Sequence, residues 1–274
     1  MVLSAEPPQN RSVMSSPVST ESVRSGYVLA GGRDPVEPWY VRYWSEILLC
    51  GCLCGSRNLD TLTVSEVDLL SEFRILLEEP WRGPDHEVLL FSIWRNVFPS
   101  EALPSLVDVK WTRLGFQSHN PVSDIRAGVC PIISMEYMSR VYPADFKRCV
   151  SESSDPKSEY PFAASCMSVS FSQIVFFKLN SQTSVNPSGC PSGTNRAIKQ
   201  LVKLVTAHGR LAFDEIFSKV TLRIHAEWMN QLTVTHKSTF DIHYFATALS
   251  RGLDAMADLF NNQKIRTLND LNKI

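Results

Sequence analysis

From residue 37 onward, apolar side chains recur at intervals of three and four in one run after another, and each run is stopped by proline or glycine. That period matches the 3.6-residue turn of an α-helix and not the two-residue alternation of a strand, so it narrows the fold to packed helices. In "TVSEVDLLSEFRILLEEP", Thr63 and Glu66 have the spacing of a capping box, Val67, Leu70, Phe73, Leu76 and Leu77 fall on one face, and Pro80 ends the run. In "GPDHEVLLFSIWRNVFP", Pro84 and Asp85 suit a helix start, Leu89, Leu90, Ile93, Trp94 and Val97 point inward, and Pro99 stops it.

The same reading extends along the chain. Trp39, Tyr40, Tyr43, Trp44, Ile47 and Leu48 predict an amphipathic helix at the start of the domain. "DVKWTRLGFQ" predicts a short helix closed near Gly115, and Pro131 opens "PIISMEYMSRVY" with Ile132, Met135, Met138 and Tyr142 in register. "SEYPFAASCMSVSFSQIVFFKLN" is ambiguous: Val, Ser and Phe favour a strand, whereas Pro161 and the small residues Ala163, Ala164, Ser165 and Ser168 suit a closely packed helix. Its length favours the helix. After the loop "SQTSVNPSGCPSGT", Asn195 is placed to cap a helix ending at Gly209. A further run buries Phe213, Ile216, Phe217, Val220, Ile224 and Trp228, and the last follows Phe240, Tyr244, Leu249, Leu253, Met256 and Phe260. The expectation is an all-α chain of about eight helices with no hairpin and no solenoid repeat. Residues 1–36, rich in Ser, Pro and Gly, read as a disordered tail, 37–265 as one compact multi-helix domain, and 266–274 as a C-terminal tail.

Composition removes several functions. Lys plus Arg (27) nearly balances Asp plus Glu (28), which argues against a nucleic acid held by bulk charge. No run approaches the roughly 18 apolar residues of a membrane span. The seven cysteines form no disulfide framework, so a cytoplasmic protein with reduced thiols is expected. "CGCLC" lacks the second ligand pair of a zinc site, so Cys50 and Cys54 read as small core residues on one helix face, with palmitoylation or redox sensing as the alternative. His86, His208, His225, His236 and His243 stand apart, no G-x-S-x-G elbow occurs, and no phosphate-binding G-x-x-x-x-G-K-[ST] loop is present. No metal or cofactor is expected. Arg196, Lys199 and Lys203 form a basic helix stripe that reads as a solvated face, with contact to an acidic partner or lipid headgroups as the alternative.

One stretch asks for more. "WTRLGFQSHNPVSDIRAG" sets Arg126 in a loop punctuated by Gly115, Pro121 and Gly128. The order W-x-x-x-G-F-Q, P-x-S-D-I-R and Y-P-F-A, in Trp111, Gly115, Phe116, Gln117, Pro121, Ser123, Asp124, Arg126, Tyr160, Pro161, Phe162 and Ala163, resembles the ELMO domain of engulfment and cell-motility proteins. The resemblance covers roughly residues 37–265 and implies an all-helical fold. It further implies one of two roles. Short members activate Arf and Arf-like small GTPases with the arginine that aligns with Arg126, whereas long engulfment-type members lack it and are scaffolds assembled with a Rac exchange factor.

This chain has the arginine and shows no appended armadillo-like repeats, so the expectation is a GTPase-activating protein that lends an arginine finger in trans. GTP and magnesium would be held by the partner, with transient recruitment to a membrane. In that reading Gln117 and Asp124 aim Arg126, Trp111, Phe116 and Pro121 hold the loop to the core, and Gly115, Ser123 and Gly128 shape it. The alternative is a non-catalytic binding module or scaffold for a small GTPase or within a larger complex. In its favour, active members read R-G-x-G where this chain reads Arg126, Ala127, Gly128, Val129. Lost glycines restrict positive φ and add bulk beside the phosphate approach.

Overall fold

The computed structural model describes residues 62–125, 128–180, 191–235 and 242–274, which fall within one compact unit. Among them are eight α-helices and no strand: α1 Val64–Leu77, α2 Pro84–Val97, α3 Cys130–Val141, α4 Pro143–Ser153, α5 Phe162–Phe176, α6 Asn195–His208, α7 Leu211–Thr235 and α8 Ile242–Asn262. Short 3₁₀ turns span Val109–Leu114, Pro121–Asp124 and Leu268–Lys273. The all-helical expectation is met. The segment containing Trp39 to Leu48 and the "CGCLC" cysteines lie outside the described residues, as do Arg126, Phe240 and the side chain of Tyr244.

Local chemistry sets the helix ends. The Thr63 side chain accepts from the Glu66 N–H and the Glu66 carboxylate accepts from the Thr63 N–H at 2.7 Å, so α1 begins with the expected reciprocal cap. Prolines occupy the first turns of α2, α3 and α4, where a missing N–H costs nothing. The cap of α6 is Thr194 and not Asn195. The Thr194 hydroxyl accepts from the Ala197 N–H at 3.3 Å, and Asn195 is the first helical residue. Helix α4 has no counterpart in the sequence reading. It packs Phe146, Cys149 and Val150 inward, but it follows Val141 after a single residue at Pro143, and its apolar face is sparse.

Helix α5 runs through the centre, which resolves its ambiguous sequence. Phe162, Ala163, Cys166, Val169, Ile174 and Phe176 are buried on the broad face packed against α3, α7 and α8, while Ala164, Ser168, Phe171 and Val175 line a narrower, less buried stripe. The buried Ser165 hydroxyl adds little polarity to that environment, because it donates to the Phe162 carbonyl one turn back, as the exposed Ser168 does to that of Ala164. Strand-like composition here reflects a wide buried face, not extended backbone.

Helices α7 and α8 form the largest pairing, and a Cβ at Gly252 would stand 2.3 Å from Ile224 Cγ1, so glycine sets how closely they cross. Residues 266–274, read from the sequence as a tail, pack onto α7, with Leu271 and Ile274 in the core. Buried Gln200 stitches this end down: its amide donates to the Phe260 carbonyl at 2.6 Å and accepts from the Ile265 N–H at 2.5 Å. Gln200→Ala strands both backbone groups, and a stability loss of about 2–4 kcal/mol is expected in urea unfolding, with faster hydrogen exchange at the Ile265 amide.

Candidate functional site

The site begins at Trp111. Its ring is fully buried, packs edge-on to Trp94 and Phe116 at 5.7 and 6.1 Å, and its indole N–H donates to the Ser105 carbonyl at 2.8 Å. Aromatic contact on three sides fixes the turn that carries it. That turn closes at Gly115, whose φ of +82° is the left-handed conformation expected of a glycine cap. Space explains the residue as much as backbone does. A Cβ on Gly115 would lie 2.3 Å from the Phe162 backbone nitrogen, and the Gly115 carbonyl accepts from the Ala164 N–H at 3.4 Å, although α5 has no side-chain cap of its own. The W-x-x-x-G-F-Q and Y-P-F-A motifs are therefore two sides of one contact.

The loop then turns back on itself. The Asp124 carboxylate accepts from the Gln117 N–H at 2.8 Å, so the role of Gln117 in this contact is carried by its backbone, while its side chain is exposed. Asn120 caps the Pro121–Asp124 turn through Val122 N–H at 3.1 Å. The Ser123 hydroxyl lies 2.7 Å from that of Ser118 and donates to the Asn120 carbonyl, and Pro121 is buried. Beyond the two undescribed residues the chain is held again: Gly128 has φ +90°, a Cβ there would stand 2.7 Å from the Glu79 carbonyl, and the Val129 N–H donates to that same oxygen at 2.8 Å. Val129 itself is fully buried with φ −81° and ψ −11°, ordinary right-handed backbone, so no glycine is required at that position. Arg126 and Ala127 lie outside the described residues, between two firmly held ends.

Behind Gly128 sits a polar cluster that local spacing does not reveal. Arg210, at the turn between α6 and α7, donates to the Cys130 carbonyl at 3.2 Å and pairs with Asp214 at 3.3 Å, and Ser134 donates to the other Asp214 oxygen at 2.7 Å. Burial pushes the Asp214 carboxyl up, against the pull of Arg210. This network ties the start of α3 to α7. Arg113 is a second such residue. It forks onto both oxygens of Glu101 at 2.6 and 2.9 Å and lies 4.1 Å over the Phe98 ring, and the paired guanidinium holds the Glu101 carboxyl below its usual range.

A groove of about 590 Å³ runs beside these residues, walled by Gly115 and Phe116 on one side and Tyr160 and Pro161 on the other. Beneath it the Tyr160 hydroxyl meets His225 Nδ1 at 2.9 Å and His225 Nε2 meets Glu152 at 2.6 Å. Burial holds His225 below its ordinary pKa, with Glu152 pulling the other way. A histidine whose pKa is lower folded than unfolded stabilises the fold above about 6.5, and that contribution is lost as pH falls through the folded value. His225→Gln retains an acceptor and a donor without titrating. Denaturation of the variant at pH 7.0 and 5.5 is expected to show a smaller acid loss than wild type.

Three cysteines fall among the described residues. Cys130, Cys149 and Cys166 are buried free thiols, and burial pushes Cys149 up to about 12 and Cys166 well above its usual value, so neither offers a thiolate. No described helix is long and apolar enough to cross a membrane.

An all-helical domain in which a W-x-x-x-G-F-Q turn abuts the start of a Y-P-F-A helix, with an arginine loop held at both ends, defines a class of protein. The chain belongs to the ELMO/CED-12 family, whose sequence profile matches residues 80–244. It is similar to human ELMO domain-containing protein 2, 32% identical over 79 residues that make up 28% of this chain and 27% of that protein. It is also similar to Dictyostelium discoideum ELMO domain-containing protein A, 28% identical over 155 residues covering 53% of this chain and 16% of the relative. Mouse ELMO domain-containing protein 1 is 28% identical over 93 residues, 33% of this chain and 28% of its own length. The chain thus spans about a quarter or less of the length of these curated relatives. No solved structure matches it.

Proposed function

We propose that this chain activates an Arf-family or Arf-like small GTPase by supplying Arg126 in trans. The observation that carries the proposal is the anchoring of the loop around that residue: Asp124 closes onto Gln117 just before it, and Gly128 and Val129 lock onto Glu79 just after it. Such anchoring fixes where the backbone stands at Gln117 and Asp124 and again at Gly128 and Val129, the described residues on either side. In GTP hydrolysis charge spreads over the oxygens of the transferring phosphoryl group, and a permanently charged, planar guanidinium meets two of them at once. The chain contributes no cofactor in this scheme, because GTP and magnesium sit on the partner.

The test is single-turnover hydrolysis by a panel of GTP-loaded Arf-family GTPases with and without the purified chain, beside Arg126→Lys and Arg126→Ala. Acceleration that depends on Arg126 supports the proposal, and equal acceleration by all three chains removes the finger. Retention of a GTPase in pull-down with no acceleration would instead favour the binding-module reading, for which Ala127 in place of the glycine of R-G-x-G is the sequence argument.

A further inference from the structure

The backbone that follows the arginine is gripped from two sides by residues distant in sequence. Glu79, just past the end of α1, accepts from the Val129 N–H at 2.8 Å, and a Cβ at Gly128 would stand 2.7 Å from that same carbonyl oxygen. Arg210, at the turn before α7, donates from Nη2 to the Cys130 carbonyl at 3.2 Å and lies 3.4 Å from the Cys130 sulfur. Helix α3 has no side-chain cap at this end, so Arg210 supplies a tertiary hold on its first residue. Cys130 stands four residues after Arg126 in the sequence.

The pair that Arg210 makes with Asp214 is better suited to fixing position than to adding stability. Their side chains are 16% and 6% exposed, and the 3.3 Å contact is an ion pair in which Arg210 Nε lacks hydrogen-bond geometry. The buried Nη1 likewise has no hydrogen-bond partner among the described residues. A buried guanidinium with unused donors recovers little of its desolvation cost, and apolar residues of similar volume in place of such a pair are often neutral or stabilising. What apolar residues would not supply is a directional bond to one chosen carbonyl. Asp214 is itself oriented, because its other oxygen accepts from the Ser134 hydroxyl at 2.7 Å. The pair therefore meets α3 at Cys130 and again one turn later at Ser134.

We infer that Arg210, oriented by Asp214, is a positioning residue for Arg126: by fixing the backbone at Cys130 it sets the point from which the arginine is offered to the partner. This rests on the GTPase-activating reading and adds to it a residue that touches neither the partner nor the phosphate. A group aimed at charge that develops only in the transition state is sensitive to placement, and a misplacement of about 1 Å costs about 10²-fold in rate. Binding of the ground state does not draw on that alignment, so rate and affinity separate.

The experiment measures single-turnover hydrolysis by GTP-loaded Arf-family GTPases against rising concentration of the purified chain, comparing wild type, the apolar pair R210M/D214L and Arg210→Lys. The expected result for both variants is a plateau rate about tenfold or more below wild type, with the half-saturating concentration unchanged within a few-fold. R210M/D214L should melt close to wild type, since the pair it removes contributes little net stability. Should it fail to fold, Arg210→Lys decides, because it keeps a charge beside Asp214 and loses the forked bond to the Cys130 carbonyl. A merely structural role would give fewer competent chains, which moves the half-saturating concentration and leaves the plateau where it was. That outcome, or variants indistinguishable from wild type, overturns the positioning role while the activating function stands. If wild type accelerates no member of the panel, the function and the positioning role fall together.

Discussion

Arg126→Ala is expected to reduce the chain's acceleration of GTP hydrolysis by about 10³-fold or more, leaving the GTPase near its intrinsic rate. The size follows from where the guanidinium acts. A donor aimed at charge that develops only in the transition state lowers the barrier by about 4–7 kcal/mol for fingers of this kind, while contributing little to binding of the ground state. Affinity for the GTP-analogue form should therefore change only a few-fold while the hydrolysis rate collapses. Arg126→Lys should recover little, because an ammonium keeps the charge but loses the planar fork. Single-turnover rates beside equilibrium binding, measured on the same three chains, separate these effects. Parallel loss of rate and affinity would mean that the residue is a contact and not a finger.

Gly115→Ala is expected to cost about 3 kcal/mol or more and to lower the melting temperature by roughly 6–12 °C. Two penalties combine. The left-handed backbone at φ +82° disfavours any Cβ, and the added carbon would stand 2.3 Å from the Phe162 nitrogen and 2.9 Å from that of Ala163. Both obstacles are backbone of the α5 terminus, so no rotamer change relieves them. Gly83→Ala supplies the comparison, because Gly83 has φ +53° but nothing within 4 Å of the position its Cβ would occupy. With ψ −123° its backbone is itself unfavourable for a side chain, so it should lose about 1–3 kcal/mol from conformation alone. Equal melting temperatures for the two variants would show that conformation alone, and not the approach of the two motifs, explains Gly115.

Much of the helical scaffold was legible before any coordinates because its signals are local. The Thr63 and Glu66 cap needs only three residues of spacing, and the buried faces of α1, α2 and α7 follow from period alone. Helix α4 escaped notice because Pro143 directly follows another helix and few large apolar residues mark its face. The C-terminal segment read as a tail because Leu271 and Ile274 are isolated in sequence; they reach the core by packing on α7, after Gln200 has fixed the backbone of Ile265, sixty-five residues from it. The candidate site divides in the same way. Gly115 as a left-handed cap was visible in its neighbours, whereas its collision course with Phe162 was not.

Sequence by itself settled the class of structure, the helix punctuation and the motif that marks the family, since propensity, capping and periodicity act over a few residues. Tertiary structure alone decided why the motif has its form. Glycine at 115 answers to the start of α5, Gly128 and Val129 to the carbonyl of Glu79, Arg113 to Glu101, and Arg210 to Asp214 and Cys130. Close packing and pairing across the chain depend on which distant groups come into contact, and no short-range pattern records those distances.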